Sequence, residues 1–415
     1  MQKKQKNKSI ISSLKTILKL DKKSDWYDSI SDGAYQTYFW NTPGKPVWMP
    51  REYKKFADEA YIKNVIAHRC IAMISQGAAN IPWKLFYLDG DKKTELKQHP
   101  VLKLLLRPNP CENGKELFES IYAFRMISGN AYVQAITPTD SHPTELYTLR
   151  PDRISLIAGN DGLPSAYQYT VGNTVQKFMV DKIGHRSPLL HLKNFHPLND
   201  WYGLSAIEAA AYSIDQHNQS GMWNQALLQN GARPTGALVV KSGEGAAGAL
   251  SDEQYNRIKN QMDEQFSGMA NAGRPLLLEG GLEWREMSHS PKDMDFLNAK
   301  HSSARDIALA FGVPPQILGI PGDNTYSNLV EARVALWEQT IIPMVDNVTT
   351  ALNNWLLPKF GSNLQLQYDA DEVPALAPKR ESLWNQINET NFMTLNEKRQ
   401  SLGFSAIPGG DVIVK

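Results

Sequence analysis

The amino-acid sequence predicts an α+β fold, in which strands and helices occupy largely separate stretches of the chain. Residues 131–195 contain several short runs rich in β-branched and aromatic residues, separated by turn signals such as those at 160–162. Residues 203–231 and 329–355 instead carry long patterns with helical spacing. With 415 residues, the chain is long enough for roughly two to four domains.

The composition is that of an ordered protein with almost no net charge and hence no strong overall electrostatic field. Hydrophobic residues make up 42% and charged residues 21%, which excludes a disordered chain, and the net charge of +1 argues neither for nor against nucleic acid. Cys70 and Cys111 cannot form a disulfide framework and lack metal-site spacing, which suits a reducing cytoplasm. The sequence contains no apolar run of the length of a membrane span and no recognisable signal peptide.

The first 50 residues have a composition of their own. Residues 1–23 carry eight lysines against a single acid, Asp21, interleaved with Ile and Leu. This pattern is open to two interpretations: a basic amphipathic helix that binds a membrane surface, nucleic acid or a partner, or a tail that docks on its own assembly. We favour the tail. Residues 25–50 are rich in Trp, Tyr and Phe without periodicity and are predicted to be an arm that packs on the body of the protein or on a neighbour.

Residues 51 to about 200 are predicted to form one α+β domain. Helical spacing is found in 51–78, 100–106 and 114–127, and strands are expected at 81–88, 132–136, 154–157, 167–170 and 189–192.

The following segment predicts two long helices that flank a small inserted unit. Residues 203–231 form the first helix, opened by a Ser205/Glu208 capping box, and its polar centre is typical of a helix between copies or beside solvent. The insertion is predicted as a strand at 236–240, a helix after a second capping box, Ser251/Gln254, and a hairpin over 274–284.

The second long helix is predicted to begin at Ser290-Pro291, with Leu297 and Phe311 on its apolar face. Gly312 and the prolines at 314 and 315 end it, and a loop rich in Gly, Asp and Asn precedes the longest helix, with Ser327 as N-cap and a kink at Pro343. The remainder predicts a strand at 364–368 and helices at 379–389 and 394–402.

The sequence contains none of the catalytic or nucleotide-binding motifs sought, such as a P-loop, a nucleophile elbow or a zinc-protease motif. A zinc site at His185, His191 and His196 is disfavoured by spacings of six and five on a strand, and the acids at 369–372 fit a solvated turn better than a cation site. We therefore predict neither an enzyme nor a cofactor or metal site.

Several stretches, read in order, point to one family. They are 202–210 (YGLSAIEAA), 230–236 (NGARPTG), 273–282 (GRPLLLEGGL), 307–315 (IALAFGVPP), 322–328 (GDNTYSN), and 393–399 (MTLNEKR) followed by Gly-Gly-Asp at 409–411. Together they resemble the HK97-like portal proteins of tailed bacteriophages, over residues from about 62 to 411.

The resemblance implies an architecture for the units described above. The assignments are an arm at 1–50, a wing at 51–202, a first stem helix at 203–232, a clip at 233–288, a second stem helix at 289–312, a tunnel loop at 313–328, a kinked wing helix at 329–360 and a strand with a helical crown at 361–415.

The resemblance also implies which residues meet DNA and partners. The tunnel-loop residues expected to face the DNA channel are Asp323, Asn324, Thr325, Tyr326, Ser327 and Asn328. Lys300 and Arg305 are candidate channel cations, or else pair with acids of a neighbouring subunit. The clip residues expected to dock partners are Tyr255, Arg257, Lys259, Arg274 and Glu279.

The function that the resemblance implies is a homo-oligomeric ring, dodecameric in this family, at one vertex of a virion capsid that is made in the host cytoplasm. Double-stranded DNA would pass through it without sequence recognition, and its partners would be the terminase large subunit, head-tail connector or adaptor proteins, and the major capsid and scaffold proteins. Three alternatives stay open: another capsid-associated minor head or adaptor protein, a DNA enzyme, and a membrane-surface protein that acts through the lysine tail.

Overall fold

A computed structural model describes residues 52–90, 92–138, 142–159, 164–181, 187–229, 236–240, 251–266, 282–286, 296–321, 326–402 and 406–413. Within these, the α-helices α1 to α12, in chain order, are Tyr53–Lys55, Val65–Ala79, Pro100–Leu106, Gly114–Ser128, Ala206–Ala209, Ala211–Gln229, Asp252–Phe266, Phe296–Ala310, Tyr326–Ala335, Ile342–Trp355, Ala377–Glu389 and Leu395–Ser401. The strands β1 to β11 are Trp83–Asp89, Lys92–Glu95, Asn130–Ile136, Glu145–Leu149, Ile154–Ala158, Pro164–Val171, Thr174–Met179, Leu189–Lys193, Gly236–Val240, Leu282–Glu286 and Leu364–Tyr368. Two π-helical segments, Phe56–Ile62 and Leu336–Ile341, adjoin α1 and α9.

Four small antiparallel sheets are found in the described residues. Their strand orders are β11-β1-β2, β4-β3-β8, β5-β6-β7 and β10-β9. The pairing of β1 with β11 places Leu85 opposite Leu366, and both side chains are buried. The strand predicted in the C-terminal segment therefore belongs to the same sheet as the first strand of the predicted wing.

The main hydrophobic core draws on side chains from Phe56 to Val373, so the predicted wing, stem and kinked-helix segments share it. Helices α2 and α4 pack together at its centre, and Ile207 and Ile214 bury the beginning of the first stem segment against them. A second cluster, formed by Tyr132, Tyr167 and four further side chains, lies between the sheets β4-β3-β8 and β5-β6-β7. Burial of these apolar side chains is the main force that holds the elements together.

The long helix predicted over 203–231 is interrupted. Ser205 caps it as expected, its side chain accepting from the Glu208 amide at 3.0 Å, but α5 ends at Ala209, and α6 begins at Ala211. The polar centre of α6 was predicted to lie between copies or beside solvent, and that prediction is wrong in part: His217 is buried within its own chain. Helix α6 packs along α8, where Ser303 Oγ lies 3.4 Å from Gln216 Oε1.

The inserted unit has the predicted order of strand, helix and strand. Strands β9 and β10 pair antiparallel and flank helix α7. The Ser251/Gln254 capping box is confirmed, with the Ser251 amide 3.1 Å from Gln254 Oε1 and the Gln254 amide 3.3 Å from Ser251 Oγ. The predicted hairpin strand that includes Arg274 lies outside the described residues.

Three further predictions need correction. The helix expected over 51–78 is broken at Lys63 and Asn64, because Asn64 caps a new helix. Leu297 was placed on the apolar face of the second stem helix, but its side chain is 72% exposed. Ser327 is not the N-cap of the long helix, which already includes Tyr326.

The long helix continues through Pro343, as predicted. The π-helical segment Leu336–Ile341 directly precedes α10, so Pro343, the second residue of α10, follows a widened turn of a continuous helix. Among the helices that the structure describes, none is both long enough and apolar enough to span a bilayer.

Candidate functional site

The loop predicted to face the channel is held from both sides by the elements that flank it. On the entry side, α8 ends at Ala310, and Gly312 adopts a φ of 67°, which is the left-handed conformation that glycine tolerates best. The Val313 amide turns back to the Ala308 carbonyl at 2.9 Å. Thr340, in the π-helical segment on the exit side, donates its hydroxyl to the Gly312 carbonyl at 2.6 Å. The two flanks are therefore joined by a direct hydrogen bond.

A short 3-10 turn, Pro315–Leu318, leads into the loop. Gly319 ends this turn with a φ of 71°, and the Ile320 amide donates to the Pro315 carbonyl at 3.3 Å. Ile320 is buried in a small apolar cluster with Ala304 and Ala308 of α8. The alanines leave the space that Ile320 fills, so the loop begins from a fixed position on α8.

The two candidate channel cations differ in their surroundings. Arg305 is exposed on α8, and its Nη2 donates to the carbonyl of Pro321, within the predicted tunnel loop. Lys300 is half-buried one turn earlier in the chain and lies near His217 of α6. Arg305 thus contributes to loop anchoring, a role that the sequence did not suggest.

Of the six predicted tunnel-loop residues, Asp323, Asn324 and Thr325 lie outside the described residues. Tyr326 and Ser327 form the first turn of α9, and Asn328 follows in the same helix with a half-buried side chain. The structure therefore brings the C-terminal half of the predicted loop onto a helix rather than leaving it as loop.

A buried polar network fixes the first stem segment to α2. Asn64 accepts from the amides of Ile66 and Ala67 at 3.1 and 3.0 Å, capping α2. Its side-chain nitrogen lies 3.2 Å from His217 Nδ1 and donates to Asn218 Oδ1 at 2.9 Å. Burial, with a smaller contribution from Lys300, lowers the pKa of His217 and favours its neutral form. No local pattern indicated this network, because Asn64 and His217 lie more than 150 residues apart.

The predicted partner-docking residues of the clip are described in part. Tyr255, Arg257 and Lys259 lie on α7, and all three are exposed; the Tyr255 side chain is 58% accessible. Arg274 and Glu279 lie outside the described residues. Helix α7 therefore presents an aromatic ring and two cations to solvent.

Within the described part of the chain, no three His, Cys, Asp or Glu side chains are placed to share a metal ion. His191 stacks on Tyr132 with ring centroids 4.4 Å apart and donates to Asn130 Oδ1 at 3.0 Å, and His196 accepts from the Leu198 amide. Burial is the main cause that lowers the pKa of His191 to about 3. Asp369 caps its own turn and forms an ion pair with Lys84.

The sequence that forms the helix pair, the strand-helix-strand insertion and the anchored loop matches the model of one protein family. The model described as phage portal protein matches residues 66–403. This chain belongs to the phage portal protein family. The resemblance drawn from separate sequence stretches is therefore confirmed over most of the chain.

Individual relatives agree with this membership. An uncharacterized protein of Rickettsia felis is 49% identical over 357 residues, covering 86% of this chain and 91% of the relative. The portal protein of Enterobacteria phage HK97 is 23% identical over 366 residues, covering 86% of this chain and 82% of the relative. A chain in the neck of a native gene transfer agent particle, computed with C12 symmetry, matches with a TM-score of 0.67 and 41% identity, covering 88% of this portal-family chain and 96% of that chain.

Proposed function

We propose that this protein forms a ring of about twelve copies at one vertex of a phage-like capsid and serves as the conduit for double-stranded DNA during packaging and ejection. The observation that carries the proposal is the 41% identity, over 88% of the chain, to a protein in a gene transfer agent neck with C12 symmetry. Such identity over nearly full length favours the same subunit architecture and hence the same way of assembling.

The proposed channel elements are α6, α8 and the loop that follows α8. A ring repeats every cation of one subunit around the channel, and each phosphate that it neutralises strengthens non-specific binding through counterion release. The predicted tunnel-loop residues Asp323, Asn324 and Thr325 include no cation, which avoids such attraction and favours sliding. The Arg305 hydrogen bond to Pro321 supports this proposal, because it holds that guanidinium against the protein backbone.

The proposed docking surface is the clip, residues 233–288. Its exposed Tyr255, Arg257 and Lys259 offer an aromatic contact and two cations to a partner. Aromatic and Arg side chains are the residue types that dominate binding energies at interfaces. We assign this surface to the terminase large subunit during packaging and to head-tail connector or adaptor proteins afterwards, and the wing to the major capsid and scaffold proteins.

The runner-up is another minor head or adaptor protein of the same kind of particle. The order of helix, insertion, helix, anchored loop and kinked helix favours the portal subunit over this alternative. The 41% identity further favours a particle related to a gene transfer agent over one related to HK97, whose portal protein is 23% identical.

A packaging assay tests the proposed conduit. Lys300, repeated around the ring, would form a weak basic ring, so in particles assembled with Lys300→Glu we expect normal rings with an altered amount of protected DNA. Unchanged packaging with normal rings would remove the basic ring from the account. Arg257→Glu/Lys259→Glu in the clip should instead weaken terminase binding and leave ring formation intact; terminase binding equal to that of the wild type would contradict the docking assignment.

A further inference from the structure

The loop between β8 and α5 exposes two large apolar side chains. Phe195 is 85% exposed, and Leu198 is 89% exposed. We call residues 195–198 the apolar knob. Exposed apolar side chains that cluster in this way, rather than occurring singly, are typical of an interaction site.

The loop that carries the knob is held in place by hydrogen bonds on both sides. The Asn194 amide donates to the Gly129 carbonyl at 2.9 Å, and the Leu198 amide donates to His196 Nδ1 at 3.0 Å. Asn199 accepts from the amides of Trp201 and Tyr202 at 2.9 and 3.0 Å. A loop that is fixed before binding loses less conformational entropy on binding, so this knob is well suited to enter a preformed cavity.

A half-open cavity of about 570 Å³ lies at the junction of α3, α4 and β1. We call it the apolar pocket. Trp83, Leu102, Leu105, Leu106 and Phe118 form its apolar lining, and the Leu106 side chain is 76% exposed. The volume is large enough for an aromatic side chain and lies within the usual range of binding cavities.

The knob and the pocket lie at opposite ends of the same helix. Gly114, the first residue of α4, lines the pocket, and Gly129, directly after its last residue, holds the knob through Asn194. At about 1.5 Å per residue, this helix of 15 residues separates the two features by on the order of 20 Å. The knob of one chain cannot fill the pocket of the same chain.

Charges beside the two features are complementary. The exposed Asp200 and Lys193 flank the knob. The exposed Lys115 and Glu372 line the pocket. Each feature thus carries one cation and one anion, so opposite charges meet in one orientation of docking and like charges in the reverse one, which favours the former.

We propose that the apolar knob of one subunit inserts into the apolar pocket of the next copy of the same chain. The inference rests on the proposed ring and names the surfaces that close it. Two different patches on one chain give a head-to-tail contact, which is the kind that generates a closed ring rather than a two-fold dimer. It also requires α4 to run from one neighbour toward the other along the wall of the ring.

Cross-linking of the full-length chain tests the contact directly. In a Cys111→Ser background, which removes the exposed native thiol, Pro197→Cys and Leu106→Cys are made singly and together; Pro197 is exposed and its replacement keeps Phe195 and Leu198, and Cys70 is buried and is left in place. A short bismaleimide is added to assembled protein. We expect a ladder of cross-linked chains from the double variant, pairs from a mixture of the two single variants, and no cross-link from either single variant alone.

A second variant measures the contribution of the knob to assembly. Phe195→Ser should weaken each subunit contact by about tenfold, which corresponds to about 1.4 kcal/mol per contact, and should raise the chain concentration at which rings form. The matched control is Phe392→Ser, another exposed phenylalanine at 76%, which should leave assembly unchanged. Because both side chains are exposed in the isolated chain, neither change should unfold it.

The outcomes separate the two proposals. Rings by electron microscopy without the mixed cross-link would overturn the knob-and-pocket contact alone. Pairs from Pro197→Cys alone would show a two-fold contact and overturn it as well, as would cross-linking to a different capsid protein in place of a second copy. Absence of both rings and cross-links would overturn this contact together with the proposed ring.

Discussion

The Thr340 hydroxyl donates a hydrogen bond of 2.6 Å to the carbonyl oxygen of Gly312, across 28 residues of chain. The bond closes the segment that contains the proposed tunnel loop, because Gly312 follows α8 and Thr340 lies in the π-helical segment before α10. Thr340 lies three residues before Pro343, so the bond also stabilises the widened turn of the π-helical segment. We call this pair of hydrogen-bonded segments, on either side of the loop, its base.

Gly312→Ala tests this base. A Cβ at this position would lie 2.6 Å from Thr340 Oγ1, and the φ of 67° disfavours any side chain. We expect a loss of about 1–3 kcal/mol in the free energy of unfolding, from left-handed strain and the displaced hydroxyl. Urea unfolding of the unassembled chain measures it, and stability equal to that of the wild type would contradict the described geometry.

Thr340→Val isolates the hydrogen bond, because it keeps the side-chain shape and removes the hydroxyl. We expect a loss of about 1 kcal/mol in the free energy of unfolding. Thr340→Ser is the matched control and should retain most of the stability, since it keeps the donor. A loss of stability in Thr340→Ser without a loss in Thr340→Val would assign the contribution to the methyl group instead.

In the Asn64 network, the capping of α2 can be separated from the hydrogen bonds that Asn64 makes to α6. Asn64→Ser keeps an oxygen that caps α2 but cannot reach His217 and Asn218 as the amide does. Asn64→Ala loses both functions. We expect Asn64→Ala to be about 1 kcal/mol less stable than Asn64→Ser, which is the typical value of an N-cap, and both to be less stable than the wild type. Wild-type stability in Asn64→Ser would show that the bonds to α6 contribute nothing.

His191 predicts a loss of stability in acid. Its pKa of about 3 in the folded chain lies below the ordinary value of 6.5, so the folded state keeps it neutral while the unfolded chain takes up a proton as the pH falls below about 6.5. Stability should therefore decrease from pH 7 toward pH 4. His191→Phe keeps the stack on Tyr132 and should reduce this slope of melting temperature against pH; the remaining slope includes His99 and His217, whose pKa values burial also lowers. The same change at the exposed His68 is the control, and an unaltered slope in His191→Phe would refute the assignment.

Asn396 joins two sequence stretches of the predicted crown. Its side chain donates to the Ile407 carbonyl at 3.0 Å and to Asp411 Oδ1 at 2.7 Å, and it accepts from the Ile407 amide at 2.8 Å. A Cβ on Gly410 would lie 2.4 Å from Asn396 Oδ1. Gly410→Ala should therefore loosen residues 395–413, seen as faster proteolysis there. Ser401→Ala, a nearby exposed position, should leave the cleavage rate unchanged; a wild-type rate in Gly410→Ala would count against this contact.

The sequence predicted those elements whose signals are local. The helix Pro100–Leu106 and the helix Gly114–Ser128, closed by Gly129, were predicted from spacing and caps and are confirmed within one residue. The helix predicted over 394–402 begins with a Thr394/Glu397 capping box, in which both hydrogen bonds form. In these places the chain carries its own start and stop signals, so no distant contact was needed to find them.

Elements stabilised by distant contacts were missed. Strand Lys92–Glu95 is exposed throughout and has no apolar alternation; its pairing with β1 alone defines it. The break at Ala210 falls in an alanine-rich run whose sequence predicts an uninterrupted helix. The polar centre of α6 contacts Asn64, which is distant in sequence, and its burial could not be predicted locally. In the candidate site, the sequence suggested Arg305 as a cation but contained no signal for its contact with Pro321.

The mass and shape of the purified full-length chain test the central claim most directly. Native mass measurement combined with negative-stain electron microscopy should reveal rings with a central hole and about twelve subunits of 46.5 kDa each. Assembly should be retained in Phe392→Ser, which changes no surface assigned to the ring. A stable two-fold dimer without a central hole, with nuclease or nucleotide-hydrolysing activity, would contradict the proposed portal ring.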